Sequence, residues 1–314
     1  MSQYILRRLV LFVPALLGIS LLVFLMIWVI PGDVVDAKFG DEMKREDLLA
    51  LKEKLGLARP IHEQYLHWLW GALRGDFGMS FWKETPVLEE IALAAPITVE
   101  LALLGTAVSL LVAIPAGILA AIRQDTWVDH ASRLVAIAGL AIPSFWLGTL
   151  LLFGPSVLFT WTPPAVYQPL WEDPWSNLQQ FAFPALALGF YFAALTMRMT
   201  RSCVLEVLRQ DYVRTAWAKG LAEFTVTMRH VLKNASIPVL TLVGFEFGHL
   251  LAGSVIIETI FTLPGVGRLV LDSIRQRDFV LLQGAMVIIA GVFLTTNLLV
   301  DLLYAYLDPR IRYR

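Results

Sequence analysis

Glu246 and His249 stand three residues apart inside one apolar run, a spacing that puts both side chains on one face of a helix. A carboxyl and an imidazole so placed can hydrogen-bond to each other, with Gly244 and Gly248 letting a second helix approach closely. The same pair can equally line a polar route across a membrane or relay a proton. Packing or lining is the reading adopted, with the relay as the alternative. Glu100 and Asp301 fall near the ends of apolar runs, at headgroup depth. No group of His and carboxylate residues has metal-ligand spacing, and no GxxxxGK[ST] loop is present to cradle a nucleotide. The pair Gly265 and Gly267 follows no strand, so it is no dinucleotide fingerprint. The single cysteine, Cys203, rules out an internal disulfide and a cysteine metal cage.

A second stretch with chemical character runs Asp211-Tyr-Val-Arg-Thr-Ala-Trp-Ala-Lys-Gly220. On a 3.6-residue period Tyr212, Val213, Ala216 and Trp217 form one apolar stripe, while Asp211 and Arg214 can pair on another face. Gly220 suits the left-handed position that closes a helix. Such a helix either lies flat on lipid, with Trp217 as interfacial anchor, or offers an aromatic knob ringed by charge to a soluble partner.

The elements that must hold these residues are membrane spans. The chain has 314 residues, 57% of them hydrophobic and 16% charged, too apolar for an ordinary soluble domain. Apolar runs able to cross a bilayer, which takes about 20 residues, cover Leu9 to Ile30, Thr98 to Ile122, Ala131 to Thr160, Phe181 to Met199, Ile237 to Ile257 and Val280 to Leu307. The expected fold class is all-α, a polytopic membrane protein of six transmembrane helices. The first run is longer than a signal-peptide core and reads as an uncleaved anchor. Pro143 and Pro155 interrupt the third, kinking it or ending it early in a re-entrant tail.

Lys and Arg crowd one set of segments: Arg7 and Arg8; Arg123 and Arg133; Arg198, Arg201, Arg209, Arg214, Lys219, Arg229 and Lys233; Arg310, Arg312 and Arg314. The short loops of the opposite set hold only Arg268, Arg275 and Arg277. By the positive-inside rule both termini are cytoplasmic. The resulting division is an anchor span at 1–30, an extracytoplasmic helical segment at 31–96 and a core of five spans at 97–314. A cytoplasmic loop at about 200–235 carries the amphipathic helix. In the external segment Leu48, Leu51 and Leu55 repeat at helical spacing before Gly56, and Ile61, Tyr65, Trp68 and Leu69 repeat after Pro60. A net charge of −1 gives no sign of nucleic-acid binding.

The run from Asp211 through Arg229-His230, Asn234-Ala235 and Pro238 resembles the EAA loop of permease subunits in binding-protein-dependent ABC importers of the peptide and nickel branch. Further matching stretches are Tyr4-Ile5-Leu6-Arg7-Arg8, Pro31-Gly32-Asp33, Leu55-Gly56-Leu57 with Arg59-Pro60, Gly75-Asp76-Phe77-Gly78 and Ile142-Pro143-Ser144-Phe145-Trp146-Leu147-Gly148. The series continues with Glu258-Thr259-Ile260-Phe261, Pro264-Gly265-Val266-Gly267-Arg268, Arg277-Asp278 and Leu307-Asp308-Pro309-Arg310. Their order and spacing, more than any one of them, carry the resemblance over nearly the whole chain. Two departures stand out: Arg214 occupies a position where the general pattern has glutamate, and the usual Ile-x-Leu-Pro ending is not at its usual distance from Gly220.

The resemblance implies a type I ABC importer permease fold and a non-catalytic subunit forming half of a path for dipeptides or oligopeptides. It implies as partners a second homologous permease, two ATP-binding cassette ATPase subunits or domains, an extracytoplasmic solute-binding protein and membrane lipid. ATP and Mg would be bound by those partners, with no cofactor in this chain. Asp211, Tyr212, Val213, Arg214, Ala216, Trp217 and Gly220 would form the helix that couples to the ATPase, in a bacterial or archaeal inner membrane. The same architecture also suits nickel, glutathione or oligosaccharide. A secondary transporter is the remaining alternative, though no half-to-half repeat supports it.

Overall fold

The computed structural model describes residues 2–29, 34–39, 43–54 and 56–307. Pro31-Gly32-Asp33, Leu55 and Asp308-Pro309-Arg310 lie outside them, as do Ile30, Arg312, Arg314 and the side chains of Tyr4 to Arg7. In chain order the helices are α1 (Ser2–Val29), α2 (Val34–Phe39), α3 (Arg45–Lys54), α4 (Ile61–Ala72), α5 (Val87–Ile122), α6 (Trp127–Ala141) and α7 (Ser144–Phe159). There follow α8 (Pro174–Leu208), α9 (Asp211–Ala218), α10 (Glu223–Thr225), a π-helical turn at Val226–Val231, α11 (Leu232–Gly253), α12 (Val255–Ile260), α13 (Val266–Gln276) and α14 (Phe279–Leu307). No strand occurs among the described residues, only an isolated bridge between Met79 and Pro86.

Five helices are long and apolar enough to cross a membrane, and α6 with α7 makes a sixth if that bent pair is one span. Of the two forms expected of this run, a kink or an early end in a re-entrant tail, both call for a break, and the pair has a sharp one, its two helices meeting at 94°. Pro143 supplies the reason. Its ring pushes Ile142 out of the helical region, to φ −82 and ψ 118, and it has no N–H to continue the ladder. Pro155, by contrast, sits inside α7 without ending it, and the helix stops at Thr160 in the left-handed region.

By their internal contacts the described residues form two units, one within 99–263 and 295–307 and the other within 2–98 and 264–294. In the first unit α8 is the central element and packs against α6, α7 and α11. It runs longer at both ends than the span expected from hydrophobicity. Asp173 caps its start, accepting from the Trp175 and Ser176 amides and the Ser176 hydroxyl, and Pro174 fits the first turn. Those bonds, the Ser176 hydroxyl first, hold the Asp173 carboxyl below its ordinary range. Nearby, Tyr167 donates to Glu100 at 3.2 Å. Burial, with the Glu100 carboxylate second, pushes the Tyr167 phenol up to about 12.

The second unit is held by aromatic contacts and one buried acid. The Phe24 and Tyr65 rings lie 5.3 Å apart, and the Ser20 and Tyr65 hydroxyls share a 2.9 Å hydrogen bond, so α4 is docked on α1. Asp278 is fully buried and accepts from the Ser80 hydroxyl at 2.7 Å, the Phe81 amide at 3.0 Å and the Leu281 amide at 3.2 Å. That carboxylate ties the turn after Gly78 to the start of α14. Val87, Ile91 and Ala94 of α5 close the core with Leu269, Val270, Leu281 and Ala285. The helices expected after Pro60 and before Gly56 are α4 and α3, and Gly56 turns the chain at φ 73, where a side chain would be strained.

Candidate coupling site

The amphipathic stretch folds as α9, and its apolar residues divide between two tasks. Val213 and Ala216 are buried in a cluster with Ile118 and Ala121 at the end of α5, Cys203 and Val204 of α8, and Val226, Val231, Ala235 and Val239. Tyr212 and Trp217 are 43% and 42% exposed. The expected single stripe is therefore corrected. A helix of eight residues turns past one neighbour only once or twice, so i and i+3 seat on the chain's own core and the flanking aromatics remain outside. Asn234 donates to the Tyr212 hydroxyl at 2.8 Å, which orients that ring from the start of α11. Asp211 and Arg214 pair at 3.5 Å, both largely solvated, so the pair contributes little stability. Gly220 adopts φ 78, and its amide bonds to the Trp217 carbonyl at 2.9 Å, closing the helix as the sequence leads one to expect.

Beyond Gly220 the chain exposes Leu221, Phe224 and Met228, apolar side chains that the helical period of 211–220 does not reveal. The signal was available in principle: Phe224 is a lone aromatic beside Glu223 in a polar segment. The π-helical turn then carries Val226 and Val231 inward to the same cluster that holds Val213. An extra residue per turn re-registers the helix, which lets both ends of the loop bury apolar faces.

A charged hub braces this region. Asp129, fully buried at the start of α6, receives Arg201 of α8 through two bonds, Nε at 2.6 Å and Nη2 at 2.8 Å. Arg133 donates to the same carboxylate at 2.6 Å, and the Asp125 amide does so at 3.0 Å. Arg209 reaches Gln124 at 3.4 Å. In the sequence Arg133 and Arg201 read only as charges that orient the chain. The i, i+4 spacing of Asp129 and Arg133 was legible, but the long-range partner Arg201 was not.

Glu246 and His249 are not brought together. Glu246 is buried, and the Thr196 hydroxyl of α8 is shared between its two oxygens at 2.8 and 3.0 Å. His249 is exposed and stacks on Phe245 with ring centroids 5.9 Å apart. Three residues advance a helix by about 300°, and the remaining offset turns one side chain to α8 and the other outward. The close approach expected at Gly244 is present, since a Cβ there would collide with the Val300 side chain of α14.

Residues 113–313 match the model of the family described as binding-protein-dependent transport system inner membrane component, and residues 1–102 match the N-terminal model of such membrane components. The chain belongs to that family. It is 38% identical over 338 residues to the dipeptide transport system permease protein DppB of Escherichia coli (strain K12), covering 100% of each chain. It is likewise 38% identical over 314 residues to the glutathione transport system permease protein GsiC of Escherichia coli O1:K1 / APEC, again covering 100% of each. A crystal structure of an amino acid ABC transporter with histidines shares the fold, with a TM-score of 0.53 at 16% identity, over 71% of this chain and 95% of that one. This member of the binding-protein-dependent family is thus a multi-pass permease of the inner membrane, with the helical ABC-permease fold expected from its residues.

The division of α9 has a measurable consequence. Val213→Ala should lower stability by about 2 kcal/mol, because the lost methyl groups leave a cavity in a packed cluster. Trp217→Ala should change it by no more than about 0.5 kcal/mol. Thermal unfolding of the detergent-purified chain reads both, and equal shifts would show that α9 has no separate seated and free faces.

Proposed function

We propose that the chain forms one half of the translocation path of an ATP-driven importer for short peptides, dipeptides or oligopeptides, delivered by an extracytoplasmic binding protein. The full-length identity to a dipeptide and to a glutathione permease supports the solute class, since glutathione is itself a short peptide-like molecule. A second, homologous permease would complete the path, because six spans line only one side of a route wide enough for such a solute. Two ATP-binding cassette subunits or domains would supply the energy. The division proposed from the sequence, with an anchor at 1–30, an external segment at 31–96 and a core at 97–314, is kept in this reading.

The observation that carries the coupling role is the construction of α9. An ATPase that closes on nucleotide moves as a rigid body, and it tilts membrane helices only through an element that is itself stiff and anchored. Val213 and Ala216 provide the anchor, while Tyr212 and Trp217 stay free for a groove in the partner. Gly220 turns the chain sharply back, so force on the aromatics reaches α11 through the same cluster. Asp211 and Arg214 would set the charged rim. Glu246 acts in packing within this reading, held by Thr196, with His249 outside any relay.

Three measurements test the proposal. With purified partners, Trp217→Ala should cost on the order of 2 kcal/mol of ATPase docking, while Thr225→Ala leaves it intact. Full ATPase recovery and normal coupled transport in Trp217→Ala would refute the role of α9. For orientation, a cysteine at Ser176 should react with an impermeant reagent from outside and one at Thr225 should not, and the reverse result overturns cytoplasmic termini. For the solute, labelled dipeptide should enter proteoliposomes only with ATP and loaded binding protein. Uptake by the Glu246→Gln, His249→Asn variant should stay within a few-fold of normal and flat with pH. Uptake without ATP would point instead to a secondary transporter.

A further inference from the structure

Helix α6 is attached to α8 at two places. Near its start the fully buried Asp129 carboxylate holds the Arg201 guanidinium at 2.6 and 2.8 Å, one bond to each oxygen, and takes Arg133 and the Asp125 amide besides. Near its end Gly139 lies so close to α8 that a Cβ there would collide with the Ala194 side chain. The attachments stand about 15 Å apart along α6 and about 10 Å apart along α8, in antiparallel order. A single contact would serve as a pivot. Two at this separation make the helices turn together.

One end of the pair carries α9, since Cys203 and Val204, within a turn of Arg201, belong to the cluster that seats Val213 and Ala216. The other end is the bend before α7. There the Ile142 amide bonds back to Ala138 and the Pro143 carbonyl accepts from Leu147, so neither bond spans the joint. Beyond it α7 has its own seat, for a Cβ on Gly148 would press on Ile257 of α12. Two separately seated helices thus meet at a peptide whose rotation breaks no ladder bond, which is the construction of a hinge.

We infer that Asp129 and Arg201 are positioning residues that make α6 a lever, carrying a displacement of α9 to the bend at Ile142 and Pro143. The inference rests on the coupling role proposed for α9. Stability alone gives no reason for this pair, because a buried ion pair is often matched by apolar side chains of similar volume. Orientation does. A bidentate guanidinium fixes the angle of its partner as well as the distance, which a lever needs and a sliding apolar contact lacks. Asp125 and Arg133 pair at 3.4 Å beside the clamp, so two acids balance two guanidiniums there.

Ala141, exposed in the last turn of α6, reports the joint when replaced by cysteine, and the native Cys203 is buried and adds no background. In the whole transporter, assembled with its second permease and ATPases in proteoliposomes, trapping with ATP, Mg and orthovanadate should change several-fold the rate at which a small thiol reagent modifies Ala141→Cys. Arg201→Lys keeps the charge and loses the fork. It should retain the ATPase but abolish the change at position 141, and it should lower the stimulation of hydrolysis by loaded binding protein about tenfold. Asp129→Asn should do the same. Rates are taken per assembled complex, so a variant that folds poorly lowers the yield and not the ratio, and Arg201→Lys decides if Asp129→Asn does not assemble. A change at position 141 that persists in Arg201→Lys, or is missing without it, overturns the lever. Trp217→Ala distinguishes the two failures: if it sheds the ATPase while Arg201→Lys couples normally, only the lever falls, whereas normal docking and coupling in Trp217→Ala removes the role of α9 itself.

Discussion

In hydrocarbon every peptide N–H and C=O that lacks an internal partner costs several kcal/mol, and the rest of this structure follows from meeting that demand. The long helices do so by default. The informative places are the breaks, and each is bridged within a turn. At Pro143 the Ile142 amide reaches Ala138, and the Leu147 amide reaches the Pro143 carbonyl. At the end of α7 the Trp161 amide closes on Pro155, and past Ser254 the Glu258 and Leu263 amides carry the chain through α12. A 94° bend between α6 and α7 is therefore compatible with a membrane, because proline has no donor to leave stranded.

Side-chain charge obeys a similar rule. The buried carboxylates of Asp129 and Asp278 each collect three or more donors, and Glu246 shares the hydroxyl of Thr196. Asp129 is the one most tied to function in the proposed reading, because its guanidinium partners come from α6 and from α8, the helix that leads into α9. Replacing the acid would leave Arg201 without its bidentate partner, a loss that is large when the remaining charge is partly buried. The seat of α9 is thus stiffened twice, by apolar packing on one side and by an ion cluster a few turns away.

The small size of α9 also has a physical logic. Eight residues cannot hold a helix by themselves in water, since nucleation is unfavourable and few bonds form. Val213 and Ala216 supply the missing stability from tertiary burial. The exposed aromatics then need no share in folding and are free for contact with another protein. Leu221, Phe224 and Met228 widen the apolar surface available on the same loop.

Hydrophobic run length was enough to determine the class, because a bilayer reads the chain one segment at a time, while the order and spacing of the short motifs carried the family. Gly56 and Gly220 were legible for the same local reason, each holding a positive φ that only glycine adopts without strain. The helix at 211–218 was legible from its period. What its period could not tell was which half of its stripe is spent inside, since Val213 and Tyr212 are equally apolar in one dimension, and only the position of α5, α8 and the π-helical turn separates them. Tertiary structure alone likewise paired Asp129 with Arg201, Glu246 with Thr196 and Asp278 with Ser80, partners 72, 50 and 198 residues apart. Local pattern carries no information on contacts at such separations, because they arise when whole helices pack, and packing is decided by the shape of both surfaces at once.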